Sequence, residues 1–277
     1  VSDDGARAPV SLIVTDGVAT LLLDRPEKSH AWLGSMYRTA ATEIEALAGR
    51  VDVDVLIVDS TGDTVFSGGG DLAELAALRD AGDRRAVTAL LHDFERLLRS
   101  IQDLPQVTIA AITGSALGAG LEIACACDLR VASRTATLGI PAARIGVVIA
   151  RPDVARLVRV AGPALATEML LCARILTAQE ALEHGLVSRV VDPGKVRSVV
   201  GAMATEVTGF ASDAVRAMKQ HLAAVCTRWD EMGAELEPSA DALLSQELGQ
   251  RVARHLRGLS RRDAAAEDTT PDPGVPT

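Results

Sequence analysis

Aromatic side chains are nearly absent from this sequence: three Phe, two Trp and one Tyr in 277 residues, or 2%. Its core must therefore be built from Ala, Val, Leu and Ile, and hydrophobic residues do make up 48% of the chain. Positive charge is also in deficit, with 28 Lys and Arg against 37 Asp and Glu and a net charge of −9. That balance opposes binding to a nucleic-acid backbone, yet a local pair of basic groups can still hold a small phosphorylated ligand. A membrane span is missing too: the uncharged stretch from Leu104 to Leu121 is broken by Pro105, Gln106 and glycines. The opening VSDDGARAPV lacks a charged segment followed by an apolar one, so no secretory signal is expected and the cytoplasm is the expected compartment. Cys125, Cys127, Cys172 and Cys226 have neither C-x-x-C spacing nor a histidine cluster nearby, and each is expected to be a buried free thiol. The histidines at 30, 92, 184, 221 and 255 show no metal-ligand spacing, so no metal is expected.

What is present is an α/β pattern. Ser11 to Val14 and Val18 to Leu23 are β-type runs around Asp16-Gly17, a strong hairpin signal. A helix-period segment from Gly34 to Gly49 follows, with Met36, Ala40, Ile44 and Leu47 on one face. Val53 to Val58 reads as a buried strand leading to Ser67-Gly68-Gly69-Gly70, after which Asp71 and Glu74 resemble a helix N-terminal capping pair. Arg84 to Ile101 reads as an amphipathic helix, Val107 to Ile112 as a strand buried on both faces, and Leu129 to Ala132 as another strand. Helices are expected over Pro163 to Ala173 and over Thr177 to Glu183, the latter with a Thr177–Glu180 capping box, and Val187 to Val191 as a closing strand. Beyond Lys195 only helices are expected, around Val199 to Val207, Asp213 to Val225 and Leu243 to Leu256. Their apolar surface calls for packing on the core or on neighbouring subunits. The final EDTTPDPGVPT reads as a disordered tail.

Two strands thus end in glycine-rich turns that open helices. Backbone N–H groups near Gly70 and near Ala119 would be free to point into a common cleft, where small residues let a carbonyl approach and a helix N-terminus favours negative charge. The plainer reading is a pair of tight turns needing permissive dihedrals. Glu122 follows the second turn among Leu121, Ile123 and Ala124. Such a carboxylate is either desolvated and raised toward general acid/base use or simply a capping or surface acid. Asp128 reads as a structural polar residue. Gly114 to Gly120 lacks the G-K-[ST] of a phosphate-binding loop, Ile123 stands where a dinucleotide fingerprint needs glycine, and no G-x-S-x-G occurs.

In this order the residues resemble the enoyl-CoA hydratase/isomerase, or crotonase, superfamily over about residues 11–260. Asp24-Arg25-Pro26-Glu27-Lys28 with His30-Ala31-Trp32 resembles the segment that lines the CoA nucleotide site. Phe66-Ser67-Gly68-Gly69-Gly70-Asp71-Leu72 resembles F-x-A-G-A-D-[LI], and Ile112 to Glu122 resembles [IV]-x-G-x-[AC]-x-G-G-G-x-E. Leu176-Thr177-Ala178-Gln179-Glu180-Ala181 through Gly185-Leu186-Val187 resembles L-T-A-x-E-A…G-L-V. The resemblance implies a spiral of ββα units in residues 1–195, a helical trimerisation region in 196–262 and a tail in 263–277. It also implies a trimer or a dimer of trimers, and fatty-acid metabolism as the setting. It places an oxyanion hole for a thioester carbonyl at the N–H groups of Gly70 and Ala119, and a catalytic acid/base at Glu122. Lys28, Ala31, Gly68, Asp71 and Leu72 become substrate-binding residues. CoA enters as part of the substrate, with no separate cofactor.

Two departures stand out. The family's second glutamate falls in P-E-[IV], which here reads Pro141-Ala142-Ala143, and Ala142 cannot transfer a proton. The family's P-G-x-G-G-T-Q-R turn becomes Ile149-Ala150-Arg151-Pro152-Asp153-Val154-Ala155-Arg156. Arg151 or Asp153 is then either a relocated polar group of the acyl pocket or part of a Pro-Asp helix start with solvent-facing charges. On Ala142 alone the sequence predicts a poor hydratase, improved by Ala142→Glu. Isomerisation, decarboxylation and silent acyl-CoA binding are the alternatives. His30, where Asn is common, is expected to be structural.

Overall fold

A computed structural model describes residues 8–226 and, with short interruptions, 240–257. The hairpin forms as expected: β1 (Val10–Thr15) pairs antiparallel with β2 (Val18–Leu23). Asp16 and Gly17 both take positive φ, +49° and +79°, as a two-residue turn that follows the strand twist requires. After a short 3₁₀ turn (Pro26–Lys28), helix α1 (Gly34–Leu47) buries Met36, Ala40, Ile44 and Leu47, the face read from the sequence.

From here the chain winds as a spiral. β3 (Val55–Ser60) is followed by β4 (Val65–Ser67) and by helices α2 (Leu72–Ala81) and α3 (Arg84–Gln102). β5 (Val107–Ile112), β6 (Ser115–Leu117) and α4 (Ala119–Ala126) repeat the plan, as do β7 (Leu129–Ser133), β8 (Thr137–Gly139) and α5 (Arg151–Leu171). β9 (Ile175–Thr177), α6 (Ala178–Glu183) and β10 (Arg189–Val191) close it. The first strand of each turn joins a six-stranded sheet in the order β1-β2-β3-β5-β7-β10, parallel from β2 onward. The second joins a smaller sheet in the order β4-β6-β8-β9. Residues of β3, β5 and β7 are mostly buried, as strands covered on both faces should be. The small sheet had no sequence signature, because three-residue strands are too short to show alternation.

Three expectations change. The helix read as starting at Pro163 begins at Arg151, and only Gly162 (φ 76°, ψ 160°) interrupts it, because the residue before a proline avoids helical dihedrals. Asp71 does cap α2, accepting from the N–H groups of Ala73 and Glu74, but the Glu74 carboxylate accepts instead from Gly34 N–H at 2.9 Å and so ties α2 to α1. Cys125 and Cys127 are buried, whereas Cys172, just past the end of α5, is exposed. Burial pushes the first two thiols up to about 11 and about 12, leaving them unreactive.

Helix α7 (Val196–Thr208) lays Val196, Val200 and Ala204 on the outer face of the large sheet, against Val55, Ile109, Ala111 and Val131. Helix α8 (Ser212–Cys226) leaves Met218, Leu222 and Val225 exposed. Ala240, Leu243, Leu248 and Val252 pack on Val87 of α3, so this part of the C-terminal region lies on the core. The tail expected at 263–277 lies outside the described residues. Among the described residues no helix is long and apolar enough to cross a membrane, and no His/Cys/Asp/Glu group could hold a metal ion.

Candidate active site

The two glycine-rich turns meet backbone to backbone. Gly69 takes φ +107°, and a Cβ on it would stand 3.0 Å from Leu117 O and 3.5 Å from Ala119 N. A Cβ on Gly120 would fall 2.6 Å from that of Ser67. Only glycine at these points lets the turn after β4 close on the N-terminus of α4.

This closeness brings two N–H groups to one place. Trp32 N–H donates to Gly69 O at 2.8 Å and Asp71 N–H donates to Trp32 O at 2.9 Å, as in a parallel bridge, which turns the intervening N–H of Gly70 away from Trp32. Ala119 is the first residue of α4, where the helix supplies no acceptor. Neither N–H finds an acceptor among the described residues. Both residues line a cavity of about 850 Å³ together with Gly68, Leu72 and Glu122.

Glu122, in the first turn of α4, is 5% exposed, and no described residue hydrogen-bonds its carboxyl. Burial raises its pKa well above the ordinary carboxylate value, the Asp153 charge raises it further, and Arg156 opposes both. It is a buried acid facing a cavity, and the surface-acid alternative is excluded.

The altered loop places its two charges differently. Arg151 is exposed and does not line the cavity, whereas Asp153, in the first turn of α5, is 6% exposed and does. Asp153 is therefore no solvent-facing charge. Arg156 Nη1 donates to its Oδ1 at 2.8 Å, but the same guanidinium also holds Glu95 through 2.7 and 2.9 Å bonds and reaches Gln102 at 2.9 Å. Arg156 thus bridges both carboxylates, and Arg99 Nε also donates to Glu95 Oε1 at 2.8 Å. Burial pushes Asp153 up to about 7 despite Arg156, with Glu95 adding to the rise. Ala142 lines the same cavity with no functional group to offer.

Tyr37 is a cavity residue that sequence reasoning passed over. It stacks on Trp32 (ring centroids 5.5 Å) and meets Phe94 (4.9 Å). Burial, then the charges of Glu122, Glu74, Asp153 and Asp71, push its phenol well above the usual value, so it stays a neutral donor. The only usable signal was that it is the sole Tyr of the chain, on the buried face of α1.

The remaining expected residues lie elsewhere. Lys28 is exposed on the 3₁₀ turn, and Ala31 lies between it and Trp32, outside the cavity lining. Asp71 caps α2 and pairs with Arg25 at 3.2 Å, a structural engagement. His30 is structural as expected: its Nδ1 accepts from Arg25 N–H, which leaves Nε2 to donate to Thr61 O at 2.9 Å, and burial lowers its pKa. Asp128 is likewise held, by Thr108 and by Lys219 Nζ at 2.7 Å.

The chain is similar to known proteins in sequence and in fold. The sequence profile described as enoyl-CoA hydratase/isomerase matches residues 14–250. YngF of Bacillus subtilis, described by that same family name, is 32% identical over 207 residues, 75% of this chain and 78% of that one. A crystal structure of an enoyl-CoA hydratase/carnithine racemase from Magnetospirillum magneticum superposes with a TM-score of 0.75 at 34% identity, covering 79% of this chain and 82% of that one. Pseudomonas aeruginosa DspI superposes with a TM-score of 0.73 at 29% identity, covering 83% and 92%.

Proposed function

Since the chain belongs to the enoyl-CoA hydratase/isomerase family, we propose that it is an enoyl-CoA hydratase-type enzyme that holds an acyl-CoA thioester with its carbonyl oxygen between the N–H groups of Gly70 and Ala119. The observation that carries this reading is the convergence of those two N–H groups, unclaimed among the described residues, on a cavity that also contains the buried acid Glu122. Attack at the far end of an enoyl double bond sends its electron pair toward the thioester oxygen. Two donors and the positive end of α4 stabilise that enolate in a water-poor site. Glu122 then acts as acid/base at the neighbouring carbon.

The apolar cavity wall, with Leu72, Leu75, Leu90 and Phe94, suits an acyl chain. Lys28, exposed on its turn, is assigned to the phosphate end of CoA, and no cofactor beyond CoA itself is required. Isomerisation of the double bond is the second reading, favoured by Ala142. Calorimetry with short and long acyl-CoAs, followed by hydration assays on crotonyl-CoA and longer 2-enoyl-CoAs, tests the proposal. Micromolar binding with turnover is expected, binding without turnover on any acyl-CoA would mark a silent binder, and no binding at all would overturn the reading.

A further inference from the structure

We propose that Asp153 is the second proton-transfer group of this cavity, a carboxylate on the first turn of α5 that replaces the one missing at Ala142. The inference rests on the acyl-CoA reading above and deepens it. Helices α4 and α5 pack together, and each brings one first-turn carboxylate, Glu122 or Asp153, to the wall of the same cavity. Ala142 lines that cavity as well, 11 residues before Asp153 in the sequence, so the lost and the gained carboxyl positions open on one space.

Asp153 is tied into the charge cluster by a single hydrogen bond. Arg156 divides its bonds among Glu95, Gln102 and Asp153, while Glu95 is also paired with Arg99. Only Oδ1 of Asp153 is engaged, and Oδ2 accepts no hydrogen bond from the described residues. A buried carboxylate costs desolvation, and here one oxygen is left for whatever enters the cavity.

Two carboxyls buried in one cavity do not both ionise readily, so the pair holds one proton between them. Above about pH 7, where Asp153 ionises, the Arg156 contact holds the negative charge on Asp153 and the proton stays on Glu122. In hydration of a 2-enoyl-CoA, Asp153 takes a proton from a water molecule as its oxygen bonds to C3. The C2=C3 electron pair moves toward the thioester oxygen, giving an enolate held by the N–H groups of Gly70 and Ala119. Glu122 returns a proton to C2 as the enolate collapses. Water is consumed, one proton enters and one leaves the pair, and exchange through solvent resets it.

The experiment measures kcat, KM and their pH dependence for 2-enoyl-CoA hydration in the wild type, Asp153→Asn, Asp153→Glu and the double variant Asp153→Asn/Ala142→Glu. Thermal melting and CoA-thioester binding serve as fold controls. Asp153→Asn should lower kcat about 10²-fold or more, with KM changed only a few-fold, and should abolish the acidic limb of the kcat profile. Asp153→Glu should keep that limb at a shifted pH, and Ala142→Glu should recover part of the rate in the Asn background. A folded Asp153→Asn variant with wild-type kcat and an unchanged acidic limb overturns the proposal. If that variant does not fold, Asp153→Glu decides, because an unmoved limb in it is what a structural role predicts. A wild type that turns over while indifferent to Asp153 sinks this inference alone. A wild type that binds no acyl-CoA removes the reading on which it rests, and the inference with it.

Discussion

A Cβ placed on Gly120 would stand 2.6 Å from the Cβ of Ser67 and 2.8 Å from its carbonyl oxygen. One of these neighbours is backbone, so a methyl group at 120 must push the turn after β4 away from α4. That junction sets the separation of the Gly70 and Ala119 N–H groups. Gly120→Ala is expected to lower stability by about 1–3 kcal/mol, the usual range for overpacking, and to weaken acyl-CoA binding at the same time. Denaturant melts and calorimetry check both, and wild-type values in each would show that this contact does not hold the cleft.

Glu122→Gln keeps the shape of the side chain and removes its proton chemistry. Nothing among the described residues hydrogen-bonds the Glu122 carboxyl, so the substitution breaks no described bond. It should leave acyl-CoA affinity within a few-fold while reducing kcat by about 10²- to 10⁴-fold. Loss of affinity with unchanged kcat would assign Glu122 to binding.

Glu122 could be singled out from the sequence because an acid two residues beyond a glycine-rich turn, flanked by Leu121 and Ile123, has few places to go except inward. Asp153 was harder. Pro152-Asp153 is an ordinary helix start, and only the fold shows that α5 begins at the cavity rather than at the surface. The long strands and the Asp16-Gly17 hairpin were legible through β-branched runs and turn chemistry. The second sheet was not, since its three-residue strands β4, β6, β8 and β9 are set by the winding of the spiral and carry no pattern of their own. Tyr37 was hidden because a buried aromatic on a helix face is ordinarily core, and only its position beside Gly70 and Phe94 places it at the cavity.

Met218, Leu222 and Val225 on α8, with Phe210 just before it, leave a run of apolar side chains uncovered, each more than half exposed. Exposed apolar surface of this kind is commonly covered by another copy of the chain. A trimer or dimer of trimers is the expected state, measured by light scattering at micromolar concentration. Leu222→Lys with Val225→Lys should shift the population toward monomer, and a monomeric wild type would exclude the assembly.

The raised pKa of Asp153 also makes a prediction about stability. The carboxyl sits among Arg156 of its own helix, Glu95 of α3, Glu122 of α4 and Tyr37 of α1, and it titrates at about 7 when folded against an ordinary 3.8. Between those values the folded state holds a proton that the unfolded chain has released. The contribution is therefore fully present below the unfolded pKa and is lost as pH rises through the folded one, with a slope approaching about 1.4 kcal/mol per pH unit. Asparagine is neutral throughout and removes this slope together with the part of the Glu122 rise that the Asp153 charge causes, while Asp59, whose pKa is also raised, keeps its own in both proteins. Urea melts of the wild type and Asp153→Asn from pH 5 to pH 8 should thus show the variant gaining on the wild type as pH rises. A difference that stays constant across the range would mean that Asp153 is ionised in the folded protein at all these pH values, held entirely by Arg156 and unable to exchange a proton near neutrality.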